Sequence, residues 1–118
     1  MALGVTPPVF LGHPDGGLVA DDALRRDLVR EIRRARPELV LLHDPTTLWT
    51  PVGGRVHLGH SDHRAAGQAT LDALYPRLFL ASFYPDLAAD GFAPWLVREA
   101  WLFDTAQPDH FVETAPGR

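Results

Sequence analysis

The 118-residue sequence contains no cysteine and no lysine, and both absences narrow its chemistry. Without thiols the chain can form neither a disulfide nor a thiolate metal site, which is typical of proteins in a reducing cytoplasm. All 11 basic side chains are arginines, and they stand among 15 acidic residues. The net charge of −4 disfavours a nucleic-acid partner, because phosphate binding needs a basic surface. We therefore expect a cytoplasmic protein that does not bind nucleic acid.

Long hydrophobic runs are missing as well. The N-terminus lacks the charged start and apolar core of a signal peptide, and Pro7 and Pro8 interrupt it. No apolar run approaches the length of a membrane span. The apolar share of 46% and the charged share of 22% are typical of a folded globular protein, and the length suits one domain. We predict a single domain over residues 1–118 without a membrane span.

The first half of the chain has the pattern of an α/β protein. The apolar run at residues 8–12 predicts a buried strand. In residues 21–35, apolar side chains recur every three or four positions before Pro37, which predicts an amphipathic helix. Residues 39–42 are apolar without alternation, as in a parallel strand that is covered on both faces. Strand, helix and strand together predict a βαβ unit.

In the second half of the chain, prolines and glycines interrupt the regular patterns more often. Residues 44–59 carry three threonines, two prolines and three glycines, and they predict a long loop, which in compact domains is often functional. Residues 62–75 return to helical spacing before a proline. Two further strands are predicted, at residues 96–103 and 110–114.

The HSDH segment at residues 60–63 is the strongest candidate for chemistry. One of its two imidazoles could bind a metal while the other faces a substrate held on that metal. Asp62 could orient either ring by accepting its N–H. The same residues could equally be polar caps at a helix start, and the spacing alone favours neither interpretation.

Other histidines carry weaker signals. His57 would join the HSDH pair only if residues 57–63 were helical, which Gly59 disfavours, so we interpret His57 as a bystander. His43 and Asp44 follow a buried strand, and ligands of open α/β sheets gather at the carboxyl ends of strands. This places them near a site without giving them a role.

The HPDGG segment at residues 13–17 has turn chemistry of its own. Its glycines could let a substrate approach the backbone closely, but a plain turn is the favoured interpretation for His13 and Asp15. His110 begins a predicted strand, and we expect it at the surface.

Four segments together resemble the PIG-L (LmbE-like) family of zinc-dependent N-deacetylases, which includes GlcNAc-phosphatidylinositol de-N-acetylases. They are VFLGHPDGGL, RPELVLLHDP, GHSDHRAAGQATLDALYPR and PWLVREAWLFDTAQPDHFVE, in the order of the family. The resemblance covers nearly the whole chain, and HSDHRAAG is its most specific part. It implies an α/β fold with a Rossmann-like (LmbE-like) sheet and flanking helices, and an enzyme that removes the acetyl group from a small-molecule N-acetylglucosaminide with Zn²⁺ as cofactor.

The resemblance also implies roles for individual residues. His63 matches a zinc ligand of the family, and His60 matches the histidine beside the scissile amide that protonates the leaving amine or stabilises the oxyanion. Asp62 would orient the neighbouring imidazole, and Asp15 matches an aspartate that binds sugar hydroxyls. Ser61 replaces the proline of the family motif H-P-D-H, and serine also suits a helix start.

One departure from the family concerns the metal. The opening motif A-H-P-D-D, which supplies the other two zinc ligands and a general base, is missing. The HPDGG segment imitates it, but Gly16 stands where a ligand aspartate would be, so we reject His13 as a zinc ligand. We expect a partial, incomplete domain in which Met1 falls inside a longer pattern, and either an oligomer or a missing N-terminal half beside it.

Two functions from different classes follow from this interpretation. The chain is either part of a deacetylase whose missing ligands come from elsewhere, or a non-catalytic sugar-binding or interaction remnant. Loss of a central strand would expose sheet edges, so we predict a marginally stable, aggregation-prone chain. We expect the segment at residues 46–56, with Trp49 and Arg55, to influence substrate choice.

Overall fold

The computed structural model describes residues 4–115, which form an α/β arrangement of helices and short strands. In chain order the elements are α1 (Asp22–Ala35), β1 (Leu39–His43), β2 (Trp49–Val52), β3 (Arg55–Leu58), α2 (Ser61–Asp72), a π-helical turn (Ala73–Arg77), α3 (Pro85–Ala89) and β4 (Glu99–Phe103). Within these residues, no helix is both long and apolar enough to cross a bilayer.

Helix α1 confirms the prediction for residues 21–35. The carboxylate of Asp21 caps the helix by accepting the N–H of Leu24 at 2.9 Å. The helix ends at Ala35, and the next residue, Arg36, has a left-handed backbone conformation and precedes a proline. Leu24 is buried and Leu28 and Ile32 are partly buried, as the apolar spacing predicted for one face of the helix, and Val29 beside that series is buried as well.

The main sheet consists of β1 and β4, which pair in parallel from Leu39 opposite Glu99 to His43 opposite Phe103. This confirms the α/β class with parallel strands and flanking helices, and β4 lies within the strand predicted at residues 96–103.

Four details of the strand predictions were wrong. Residues 8–12 and 110–114 form no strand, and β1 pairs with β4 instead of with residues 8–12. Apolar runs become strands only where a neighbouring edge receives their backbone hydrogen bonds, and in the described residues these two segments have none. Nor is β1 covered on both faces, because Leu42 is buried whereas Leu41 is 62% exposed in a sheet of two strands.

The loop predicted at residues 44–59 instead contains a β-hairpin, so that prediction was wrong as well. Strands β2 and β3 pair antiparallel, and the two residues between them are Gly53 and Gly54, both with positive φ. A two-residue turn of this conformation suits the right-handed twist of a hairpin, and glycine adopts it without steric cost. The strands escaped detection because each has only four residues and β2 contains Pro51.

Helix α2 packs closely on the end of β1. Gly67 lies directly against the backbone of His43, so closely that a β-carbon at this position would overlap the His43 carbonyl oxygen. The predicted helix at residues 62–75 is confirmed over most of its length. It ends as an α-helix at Asp72, because Tyr75 is extended before Pro76.

The hydrophobic core lies between α1, the π-helical turn and α3. Its fully or nearly fully buried members are Val29, Ala73, Leu78 and Leu87. Arg33 of α1 is also buried, with 2% exposure, and its guanidinium donates to the carbonyl oxygens of Leu78, Phe92, Arg77 and Phe83. Burial lowers the pKa of Arg33. This core lies away from the carboxyl ends of β1 and β4, where the candidate site is found.

Candidate active site

Three imidazole rings form a row beside the carboxyl end of β1. His43 is the last residue of β1, His63 lies in the first turn of α2, and His60 immediately precedes that helix. The ring centroids of His43 and His63 are 4.1 Å apart, and those of His60 and His63 are 5.4 Å apart. The close packing of Gly67 on β1 brings the start of α2 to this place.

His60 is the N-cap of α2. Its Nδ1 accepts the backbone N–H of Asp62 at 3.0 Å. In the neutral ring only one nitrogen carries a proton, so this bond assigns the proton to Nε2. Nε2 lies 3.3 Å from a carboxylate oxygen of Asp15. The capping and chemical interpretations of HSDH are therefore compatible, because one ring nitrogen caps the helix and the other faces outward as a donor.

The carboxylate of Asp62 holds the turn that carries Asp15. It accepts the backbone N–H groups of Gly16 at 2.7 Å and Leu18 at 3.1 Å. These bonds lower the pKa of Asp62, the bond from Gly16 most of all. Gly17 N–H donates to the carbonyl of residue 14 at 3.1 Å, which confirms the predicted turn. The prediction that the Asp62 carboxylate orients an imidazole by accepting its N–H was therefore wrong for the described residues, because the carboxylate is engaged by the turn and Asp62 contacts His60 through its backbone N–H.

The side chain of Asp15 is held beside His60 but is open to solvent. It is 95% exposed, next to the 43% exposed side chain of His60. A ligand atom of each of Asp15, His60 and Asp62 lies within 4.8 Å of the others. The structure therefore brings three of the four predicted site residues into one group, and the fourth, His63, adjoins it through its contact with His60.

A second group contains His63 together with His43 and Asp104, whose ligand atoms also lie within 4.8 Å of one another. Asp104 follows β4 directly and has a φ of 58°. Because β1 and β4 are parallel and in register, their ends place His43 and Asp104 side by side. His43 Nδ1 is buried, and in the described part of the chain it has no hydrogen-bond partner. Burial, and next the neighbouring His63, lowers the pKa of His43.

Asp44 fixes the ends of the two parallel strands. Its carboxylate accepts the backbone N–H and the hydroxyl of Thr46 at 2.8 and 2.6 Å, and the hydroxyl of Thr105 at 2.7 Å. These bonds, led by the Thr46 hydroxyl, lower the pKa of Asp44. The backbone N–H of Asp44 also donates to Phe103. Asp44 therefore holds the backbone at the ends of the two strands in place. Its neighbour His43 instead contacts the ring of His63.

Two of the remaining histidines, His57 and His110, belong to neither group. His57 is exposed on β3, and His110 is exposed with its ring against Trp101 at 4.9 Å, as predicted for a bystander and a surface residue. Sequence reasoning missed Asp104. Its position after a predicted parallel strand was the available signal, and the same rule had drawn attention to His43.

Comparisons with known proteins agree with this architecture. Over residues 1–74 the chain matches the PIG-L family described as GlcNAc-PI de-N-acetylase. It is 31% identical over 111 residues to a diacetylchitobiose deacetylase of Thermococcus kodakarensis, a match that covers 94% of the chain and 38% of the relative. A crystal structure of a conserved protein from Thermus thermophilus has the same fold, with a TM-score of 0.58 and 24% identity, over 85% of the chain and 38% of that protein. The chain thus spans well under half the length of these relatives, and it belongs to the PIG-L (GlcNAc-PI de-N-acetylase) family.

Proposed function

We propose that the protein is a zinc-dependent hydrolase that removes the N-acetyl group from a small-molecule substrate containing N-acetylglucosamine. Family membership supports the hydrolase class, and the Thermococcus kodakarensis relative, named a diacetylchitobiose deacetylase, supports an acetylated amino sugar as substrate. Because the chain spans 38% of that relative, the activity is proposed for a protein that includes residues beyond these. The cytoplasmic location stays a prediction.

The observation that carries this proposal is the orientation of His60. Its Nδ1 is engaged by the helix start, so the proton of the neutral ring is on Nε2, beside the exposed carboxylate of Asp15. A proton donor held in this way can donate to the oxygen of a tetrahedral intermediate or to the departing amine. The helix cap fixes the ring, so little rotational freedom is lost when a substrate binds.

His63 would hold the metal in this proposal. When bound, zinc polarises the acetamide carbonyl and lowers the pKa of a bound water toward neutrality. The ring of His63 is exposed and lies next to that of His60, and the nitrogen and carboxylate ligands around it are of the kinds that zinc prefers. His63 supplies one ligand, whereas an ordinary catalytic zinc site has three protein ligands.

Asp15 would bind the sugar, and Asp62 would position the turn that carries Asp15. The exposed Asp15 carboxylate can accept hydrogen bonds from sugar hydroxyls, and Asp62 holds its turn through two backbone N–H groups. Asp62 would serve the catalytic site by positioning, since its carboxylate holds the Asp15 turn and its backbone N–H holds the ring of His60. The exposed hairpin residue Trp49 remains our candidate for substrate choice.

The test is release of acetate from diacetylchitobiose or another N-acetylglucosaminide by the intact protein from its native cell. We expect release that stops with a zinc chelator and returns with added zinc. Replacing His60 by Gln should lower kcat by about 100-fold or more. The matched control is His57→Gln, which changes an exposed histidine of β3 and should leave kcat unchanged.

If the protein binds the sugar in the presence of zinc but releases no acetate, the proposed deacetylase activity is contradicted. That result would favour the second candidate, a non-catalytic sugar-binding remnant, for which the exposed and rigidly held Asp15 is the supporting observation. Activity that is insensitive to chelation would contradict the zinc part of the proposal alone.

A further inference from the structure

We propose that Arg64 is a positioning residue for His60, because its guanidinium holds the peptide group that joins Gly59 to His60. The inference rests on the proposed function, in which His60 donates a proton from Nε2. Arg64 lies near the start of α2, shortly after the His60 N-cap. Its Nη1 donates to the carbonyl oxygen of Gly59 at 3.0 Å, so the side chain reaches back past the helix start.

Gly59 benefits from such a contact because glycine has the widest backbone freedom of any residue. Its N–H donates to the carbonyl of Leu48 at 2.9 Å, and its carbonyl accepts from Arg64. A β-carbon on Gly59 would lie 3.4 Å from the Leu48 oxygen and 3.7 Å from Arg64 Nη1, so both partners are close. The bond to Leu48 ties Gly59 to the base of the hairpin, and the bond from Arg64 fixes the direction of the Gly59 carbonyl.

The direction of that carbonyl bears on the His60 ring. The Gly59 carbonyl and the His60 N–H belong to one rigid peptide plane, so rotation of the plane changes the φ of His60 and moves its side chain. The ring tolerates little movement, because Nδ1 accepts the Asp62 N–H at 3.0 Å while Nε2 lies 3.3 Å from Asp15. Without the Nδ1 bond, either nitrogen of the neutral ring could carry the proton. Arg64 thus acts on the proton donor through the backbone.

The charge of Arg64 is a second, independent argument. Within residues 4–115 its guanidinium forms no ion pair with a carboxylate, whereas arginines of α1 such as Arg26 and Arg30 do. Arg64 also stands near the N-terminal end of α2, where the helix dipole favours anions and disfavours cations. Neither an ion pair nor the dipole therefore accounts for a cation at this position. Residues that go against local stability rules are expected at functional sites.

The test compares Arg64→Met with Arg64→Lys in the intact protein with zinc bound. Long-range ¹H–¹⁵N NMR spectra of the imidazoles, recorded at about pH 8 where an ordinary histidine is neutral, show which nitrogen of His60 carries the proton. We expect Nε2 in the parent, both tautomers in Arg64→Met, and Nε2 again in Arg64→Lys, because lysine can also donate to the Gly59 carbonyl. Gln68→Met, at an exposed position one turn further along α2, is the matched control and should keep the parent tautomer.

Acetate release gives the second readout. Arg64→Met should lower kcat about tenfold, less than His60→Gln does, and should change KM less than about twofold, because the donor is misplaced but present. Arg64→Lys should recover most of this loss. In a His60→Gln background, Arg64→Met should lower kcat by less than about twofold further, since two residues that act as a unit are not additive.

The inference is overturned if Arg64→Met keeps the parent tautomer, or if Gln68→Met loses it to the same extent. A further loss of about tenfold in the double variant would overturn it as well, because Arg64 would then act independently of His60. If the parent protein releases no acetate, the proposed function fails, and the tautomer measurement still decides whether Arg64 orients His60.

Discussion

The two ends of the molecule are built differently. At one end, α1, the π-helical turn and α3 enclose Val29, Leu78 and Leu87, and the charged Arg33 is satisfied inside this packing by four carbonyl groups. At the other end, β1 and β4 form a sheet of two strands with large apolar side chains exposed, Leu41 among them. The candidate site lies at the carboxyl ends of these strands.

This difference indicates that stability and chemistry are separated in the chain. The packed end buries its apolar side chains among helices and turns, whereas the parallel strands, which in proteins are ordinarily covered on both faces, leave apolar side chains exposed. An exposed two-stranded sheet offers edges and apolar surface for association, so we retain the prediction that the chain alone is marginally stable and prone to aggregate. Three substitutions, one in each end and one at their junction, test this separation.

The largest effect is expected at the packed end. Arg33→Met keeps much of the buried stem but removes a donor from four carbonyl groups, of which that of Leu78 still accepts the Trp95 N–H, and we expect the free energy of unfolding to fall by about 2–4 kcal/mol. Urea unfolding followed by circular dichroism measures it. Arg34→Met is the matched control, because the neighbouring side chain is 53% exposed and should change stability by less than about 0.5 kcal/mol. Equal midpoints for the two variants would contradict a stabilising role of the buried guanidinium.

A smaller loss is expected where α2 meets β1. Gly67→Ala places a methyl group against the His43 carbonyl, and no side-chain rotation can relieve a clash with backbone. We expect a loss of about 1–3 kcal/mol in the same unfolding measurement. Helix propensity alone would raise the free energy of unfolding by about 1 kcal/mol in this variant. The sign of the measured change therefore decides whether the contact with His43 or helix propensity dominates. Gln68→Ala, at the exposed next position of α2, should change little.

The smallest change in stability is expected on the open face of the sheet. Leu41→Lys alters a side chain that is 62% exposed, and we expect the free energy of unfolding to change by less than about 0.5 kcal/mol while light scattering at high protein concentration decreases. Leu42→Lys is the contrasting variant, because it buries a charge at a position that is 4% exposed and should unfold the chain. If both variants are equally destabilising, Leu41 is covered in solution.

Much of this architecture could be predicted from local patterns. The spacing of apolar residues located α1 and most of α2, and the uninterrupted run before His43 located β1. The hairpin was missed although its Gly53-Gly54 turn was visible, because strands of four residues carry too little periodicity. The strand predicted at residues 8–12 was wrong because strand formation depends on a partner edge that a local pattern does not contain.

The sequence by itself determined the family, the α/β class and the cluster HSDH, because these depend on residue types and spacings that are local in the chain. Only the tertiary structure decided which distant residues meet. It placed the Asp62 carboxylate on the turn of Asp15, 44 to 46 residues away at Leu18 and Gly16, and it brought His43, His63 and Asp104 together. The physical reason is that the parallel register of β1 with β4 and the contact of Gly67 with β1 set these distances, and both depend on packing across the whole domain.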